Sequence, residues 1–83
     1  MLETIEPSKY AFALDIGRRL IASISDESAM SEEYFRLAIQ QGAELSDDQT
    51  GDVIKSLVES GELEYQFGKG VLPGENAIHS NDF

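Results

Sequence analysis

The chain has 83 residues, no cysteine and a formal net charge of −10. That length suits one small domain, and the missing cysteine excludes a disulfide framework, a thiolate metal site and a cysteine nucleophile. So large an acidic excess repels phosphate backbones and anionic membranes and favours basic partners.

Residues 1–7 read as a lead-in, with Pro7 suited to the first turn of a helix because its missing N–H costs nothing there. From Ser8 to about Ile24, apolar residues recur at Tyr10, Ala13, Leu14, Gly17, Leu20, Ile21 and Ile24. This helical spacing predicts one buried face, widened by Phe12 and Ile16. Gly17 inside it predicts a close approach by another helix. The breadth of the stripe also suits a homodimer contact through this first helix. Arg18 and Arg19 read as a solvated face paired with Asp15 or glutamates rather than as an anion site.

Ser25 to Ser31 is a polar link. Ser31 is a good N-cap, Glu32 and Glu33 suit the helix dipole, and Met30 with Phe35 suits a hydrophobic staple. The second helix is predicted to run to about Gln41. Phe35, Ala38 and Ile39 point inward, flanked by Tyr34 and Leu37, and Gly42 serves as a left-handed stop.

Ala43-Glu44-Leu45 reads as the turn. Ser46 and Gln49 then form the S-x-x-Q capping box of a third helix. Thr50, Val53, Ile54, Leu57 and Val58 are its buried stripe, and Gly61 stops it. Leu63, Tyr65 and Phe67 alternate with Glu62, Glu64 and Gln66, which predicts a half-buried strand. Phe35 and Phe67 are expected in the core, and Tyr65 at its rim or at an interface. Gly68-Lys69-Gly70 supplies a tight turn, and Val71 and Leu72 pair back before Pro73-Gly74. Glu75 to Phe83 has no period and predicts a flexible tail. The organisation is therefore a lead-in at 1–7, a domain at 8–73 and a tail at 74–83.

The order of helix, short helix, three-residue turn, helix and hairpin resembles the winged helix-turn-helix superfamily. The stretch Val53-Ile-Lys-Ser-Leu-Val-Glu-Ser-Gly-Glu-Leu-Glu-Tyr carries the resemblance. Gly61 matches the glycine after the recognition helix, and Leu63 the apolar residue that opens the wing. The resemblance covers about Ser8 to Leu72. It implies a mainly α fold with a small β-hairpin (α+β): three helices plus a wing.

In DNA-binding members, the recognition helix and wing carry cationic and amide side chains for phosphates and base edges. Here Asp47, Asp48, Asp52 and Glu59 stand on that helix against Lys55, and Glu62 and Glu64 extend the row into the strand. The wing offers Lys69. Counterion release, which drives association with DNA, needs protein cations. The expectation is therefore an acidic protein–protein interaction module. It would dock those seven residues, Asp47 to Glu64, on a basic protein surface, including one belonging to a nucleic-acid-binding protein.

A small acidic domain of this kind resembles the DNA-mimicking inhibitors that phages and mobile elements encode, an analogy of type rather than of sequence. Two other readings stand beside it. One is a dimeric winged-helix transcriptional regulator, with Arg18, Arg19, Arg36, Lys55 and Lys69 gathered on one face. The other is an assembly subunit of a larger complex.

Other chemistry finds little support. Asp48, Thr50, Asp52, Ile54, Ser56 and Glu59 fall in the register of an EF-hand calcium loop, but its glycine position is Val53. The helical spacing through that stretch excludes the loop. Neither Ser28 nor Ser56 has the Asp-Ser-Leu context at a helix start that a phosphopantetheine carrier needs. His79 is the only histidine and falls in the tail. No enzyme activity, cofactor or metal is expected. No apolar run approaches the roughly 20 residues that span a bilayer. Met1 to Pro7 lacks the basic start of a secretory signal. A cytoplasmic location without membrane contact is the corresponding expectation.

Overall fold

The computed structural model describes residues 5–24, 29–66 and 68–77. Three helices precede a two-stranded antiparallel hairpin: α1 Pro7–Ser23, α2 Glu32–Ala43, α3 Asp47–Glu59, β1 Leu63–Gln66 and β2 Gly70–Pro73. This mainly helical α+β layout is compatible with a winged-helix-like arrangement.

Pro7 opens α1, as its fixed φ favours. The helix buries Ala13, Gly17 and Ile21. Tyr10, Leu14, Ile16, Leu20 and Ile24 pack against the core at its margin, whereas Phe12 is exposed. Gly17 sits where all three helices meet. A Cβ there would lie 2.7 Å from Leu57 Cδ1 and 3.5 Å from Ile39 Cδ1.

Ser31 caps α2 by accepting from Tyr34 N, and α2 buries Phe35, Ile39 and Ala43. Met30 packs on the core that includes Phe35. The end of α2 differs from the sequence expectation. Gly42 is inside the helix, and Glu44 adopts the left-handed cap with φ 56°. Gly42 serves packing instead: a Cβ there would meet Ile16 Cδ1 at 2.8 Å. Running the helix past Gly42 also brings Ala43 into the core.

The capping box of α3 forms as the sequence predicts. Ser46 Oγ accepts from Gln49 N at 3.2 Å, and Gln49 Oε1 accepts from Ser46 N at 3.0 Å. Thr50, Val53, Ile54 and Leu57 are buried. Val58, expected with them, is 38% exposed. Gly61 has φ 83° and ends α3. Its N–H bonds Val58 O and the Glu62 N–H bonds Leu57 O, the paired bonds of a Schellman cap.

Leu63 and Val71 close the core from the hairpin. Full burial of side chains such as Phe35, Ile39 and Leu57 contributes about 1.5–3 kcal/mol each. Of the alternating apolar positions, Leu63 is buried, and Tyr65, expected at the rim or an interface, is 41% exposed. Phe67 lies outside the described residues. Met30 adds a rung that the sequence did not announce: it forms an isolated antiparallel bridge with Val71.

Hydrogen bonds continue just past β2. Gly74 N donates to Glu62 O, Asn76 N to Gly61 O, and Asn76 Nδ2 to Ser60 O. Residues 74–77 are thus tied to the corner between α3 and β1. Residues 78–83, with His79, lie outside the described residues.

Candidate protein-interaction surface

The second and third helices with the hairpin form the face on which the sequence placed its acidic row. Asp48, Asp52, Lys55 and Glu59 follow one another at four-, three- and four-residue steps. That spacing keeps them on one side of α3, and all four are exposed. Lys55 Nζ lies 3.9 Å from Glu59 Oε1. An exposed pair of this kind adds little stability, but it partly neutralises the lower end of the stripe. Asp48 and Asp52 have no cation within ion-pair distance among the described residues.

The other three predicted residues separate. Asp47 belongs to the clasp between α2 and α3. Arg36 Nη2 donates to Asp47 O at 2.8 Å, and its Nε is 4.0 Å from Asp47 Oδ1. Glu64 is exposed on β1, where it accepts from Gln66 Nε2.

Glu62 leaves the row altogether. It is only 8% exposed. Arg18 Nε donates to Glu62 Oε1 at 2.7 Å and Nη2 to Oε2 at 3.4 Å, while Ser60 Oγ donates to Oε2 at 2.7 Å. Hydrogen bonding from the guanidinium outweighs burial and holds the Glu62 carboxyl below its ordinary pKa; it correspondingly raises that of Arg18. Glu62 therefore ties α1 to the α3–β1 corner. Nothing local marks it, because its partner is 44 residues away.

Four of the cations stand beside acids. Arg18 pairs with Glu62, and Arg19 Nε lies 3.1 Å from Asp15 Oδ2. Arg36 and Lys55 stand beside Asp47 and Glu59. Lys69 is at the hairpin turn. These side chains sit on α1, α2, α3 and the wing, with Arg36 and Lys55 lining one hollow.

Sequence reasoning missed a hollow of about 290 Å³ lined by Ile54, Val58, Tyr65, Gly51, Arg36 and Lys55. Tyr65 is its outer wall and also donates to Glu32 Oε1 at 3.5 Å. Burial first, then the neighbouring Glu32, raises the Tyr65 pKa. The sequence signal was partial: Tyr65 has the polar handle of a rim residue, and Val58 lies at the margin of the α3 stripe. The surface is thus an apolar centre, Val58 and Tyr65, bordered by charged side chains.

The residues in calcium-loop register lie on continuous α3. Among the described residues no group of three or more His, Cys, Asp or Glu is placed to hold a metal ion. No helix among them is long and apolar enough to cross a membrane. No protein-family model, curated protein or solved structure matches this chain.

Proposed function

We propose that this protein is an acidic interaction module that docks the outer face of α3, with β1, on a basic protein surface. The observation that carries this reading is the exposed stripe of Asp48, Asp52 and Glu59 alongside the apolar pair Val58 and Tyr65. Charge steers the encounter and selects the sign of the partner. The apolar centre supplies the buried contact that holds it.

A surface that normally receives nucleic acid is the natural target, which makes a DNA-mimicking inhibitor the narrower form of the proposal. The helical rise separates Asp48 from Asp52 by about 6 Å and Asp52 from Glu59 by about 10 Å. One DNA strand carries a charge every ~3.4 Å. The stripe therefore imitates the sign and line of a strand at lower charge density, and the Val58–Tyr65 centre has to supply the remaining affinity.

The test is affinity capture from the native host, read by mass spectrometry. The wild-type chain is compared with an Asp48→Lys, Asp52→Lys, Glu59→Lys variant that is confirmed folded by circular dichroism. A partner with a basic surface, captured by the wild type and lost by the variant, is the expected result. Undiminished capture by the variant overturns the acidic-stripe reading. Retarded migration of duplex DNA with the wild-type chain at low salt would favour the DNA-binding regulator instead, since low salt exposes weak electrostatic affinity.

A further inference from the structure

Gly51 stands inside α3, where only proline is a poorer helix former. Each of the other six glycines has a reason in the fold. Three have a positive φ, and at three a Cβ would crowd a neighbour. A Cβ at Gly51 would meet only Arg36 Nη2 among the described residues, at an ordinary contact distance of 3.8 Å. The missing side chain therefore relieves no crowding there. What it does is open one end of the hollow of about 290 Å³.

Gly51, Ile54, Lys55 and Val58 recur at helical spacing and form one strip of α3. Tyr65 walls the hollow from β1, and Arg36 walls it from α2. Arg36 is held beside Gly51 by its bond to Asp47 O.

The charge pattern selects the occupant. Two cations at an apolar hollow repel a Lys or Arg side chain. They attract the face of an aromatic ring, where the quadrupole is negative. The Tyr65 ring offers a second aromatic contact. Asp48, Asp52 and Glu59 are exposed along the adjoining strip of the same helix. Residues that flank a ring in the hollow reach those carboxylates, which favour Lys or Arg and repel acids.

We propose that the hollow receives an aromatic side chain of the partner, from a segment whose flanking residues are basic, and that Gly51 is the position that admits it. A second copy of the chain fits less well, because it would set two acidic rows against each other. The proposal rests on the reading that the partner is a basic protein, but it assigns specificity to the hollow rather than to the acidic stripe.

The test uses the full chain, ¹⁵N-labelled, at low salt. The probes are two end-blocked pentapeptides of equal charge: a tryptophan between two pairs of lysines, and the same peptide with alanine at its centre. The expected result is saturable movement of the Gly51, Val58 and Tyr65 amide signals with the tryptophan peptide, and binding about tenfold weaker for the alanine peptide. Gly51→Leu fills the hollow and should reduce the tryptophan peptide to the level of the alanine one. Gly51→Ala should raise the melting temperature, because alanine favours the helix and its Cβ meets no crowding. A lowered melting temperature would mean that the chain itself covers the site, and overturns the proposal.

Equal binding of both peptides overturns the aromatic anchor and leaves the acidic-stripe reading standing. Absence of binding by either peptide also overturns it. Self-association that Gly51→Leu abolishes replaces the partner with a second copy. A single-stranded oligonucleotide that moves the same signals replaces the side chain with a stacked base. In the lysine variant of Asp48, Asp52 and Glu59, both peptides should bind more weakly while the preference for tryptophan persists. A persisting preference with undiminished affinity keeps the hollow and removes the stripe.

Discussion

Arg18 and Glu62 are 44 residues apart in sequence and meet in a forked ion pair, Nε to Oε1 at 2.7 Å. Their contact joins α1 to the start of the wing. Glu62 is nearly buried, while the Arg18 side chain remains 45% exposed. Solvent therefore screens part of the attraction, and the hydrogen bonds to a charged group carry most of its value. Removing the charge by Glu62→Gln should cost about 1–2 kcal/mol in urea denaturation at neutral pH.

The same pair sets an acid limb of stability. The folded-state pKa of Glu62 is depressed below the ordinary 4.5. The unfolded chain thus binds the proton first as pH falls. The stabilisation is fully present above the unfolded value and is lost as pH drops through the folded one. Thermal melts from pH 7 downward should show a shallower acid decline for Glu62→Gln than for wild type. Parallel declines would remove Glu62 from that role.

Gly17 tests the three-helix junction. Alanine would gain about 1 kcal/mol of helix propensity. Its Cβ would stand 2.7 Å from Leu57 Cδ1, and Leu57 is fully buried with little room to move. Overpacking of this kind costs about 1–3 kcal/mol. Gly17→Ala should therefore be destabilising on balance, and less so when Leu57 is shortened to valine. A stabilised single variant would show that the junction is looser than the distance implies.

Glu44 carries a left-handed backbone that a side chain disfavours by about 1–2 kcal/mol. Glycine adopts it freely, at an entropic cost of about 0.5–1 kcal/mol in the unfolded chain. Glu44→Gly should raise stability by about 0.5–1 kcal/mol on balance. Lys9 Nζ donates to the Glu44 carbonyl and not to its carboxylate, so that contact persists. A lowered melting temperature would contradict this account of the α2 cap.

Tyr10 Oη donates to Ser56 Oγ at 2.6 Å and fixes the back of α3 against α1. Ser56 Oγ in turn donates to Asp52 O. Tyr10→Phe should cost about 0.5–1.5 kcal/mol. In a double-mutant cycle with Ser56→Ala, the two losses should be less than additive. Strict additivity would mean that the bond contributes nothing.

Some elements were legible because their causes are local. Ser46 and Gln49 announce α3 within four residues, and Gly61 ends it by its own backbone freedom. Gly17 signalled a close approach without naming Leu57. The end of α2 was misread for a physical reason: glycine normally marks a left-handed stop, but here Gly42 lies against the Ile16 side chain and burial of Ala43 carried the helix onward. Val58 fits the buried stripe by spacing, yet it ended at the edge of a hollow because the wing covers only part of that side.

The sequence by itself determined the element order, the N-cap of α2, both caps of α3 and the exposed line of Asp48, Asp52, Lys55 and Glu59. Those depend on period and on hydrogen bonds only a few residues long. The tertiary structure alone decided that Glu62 turns inward to Arg18, that Asp47 joins Arg36, and that Met30 bridges Val71 beside the hairpin. Each requires knowing which distant segment packs alongside, and no local period encodes that.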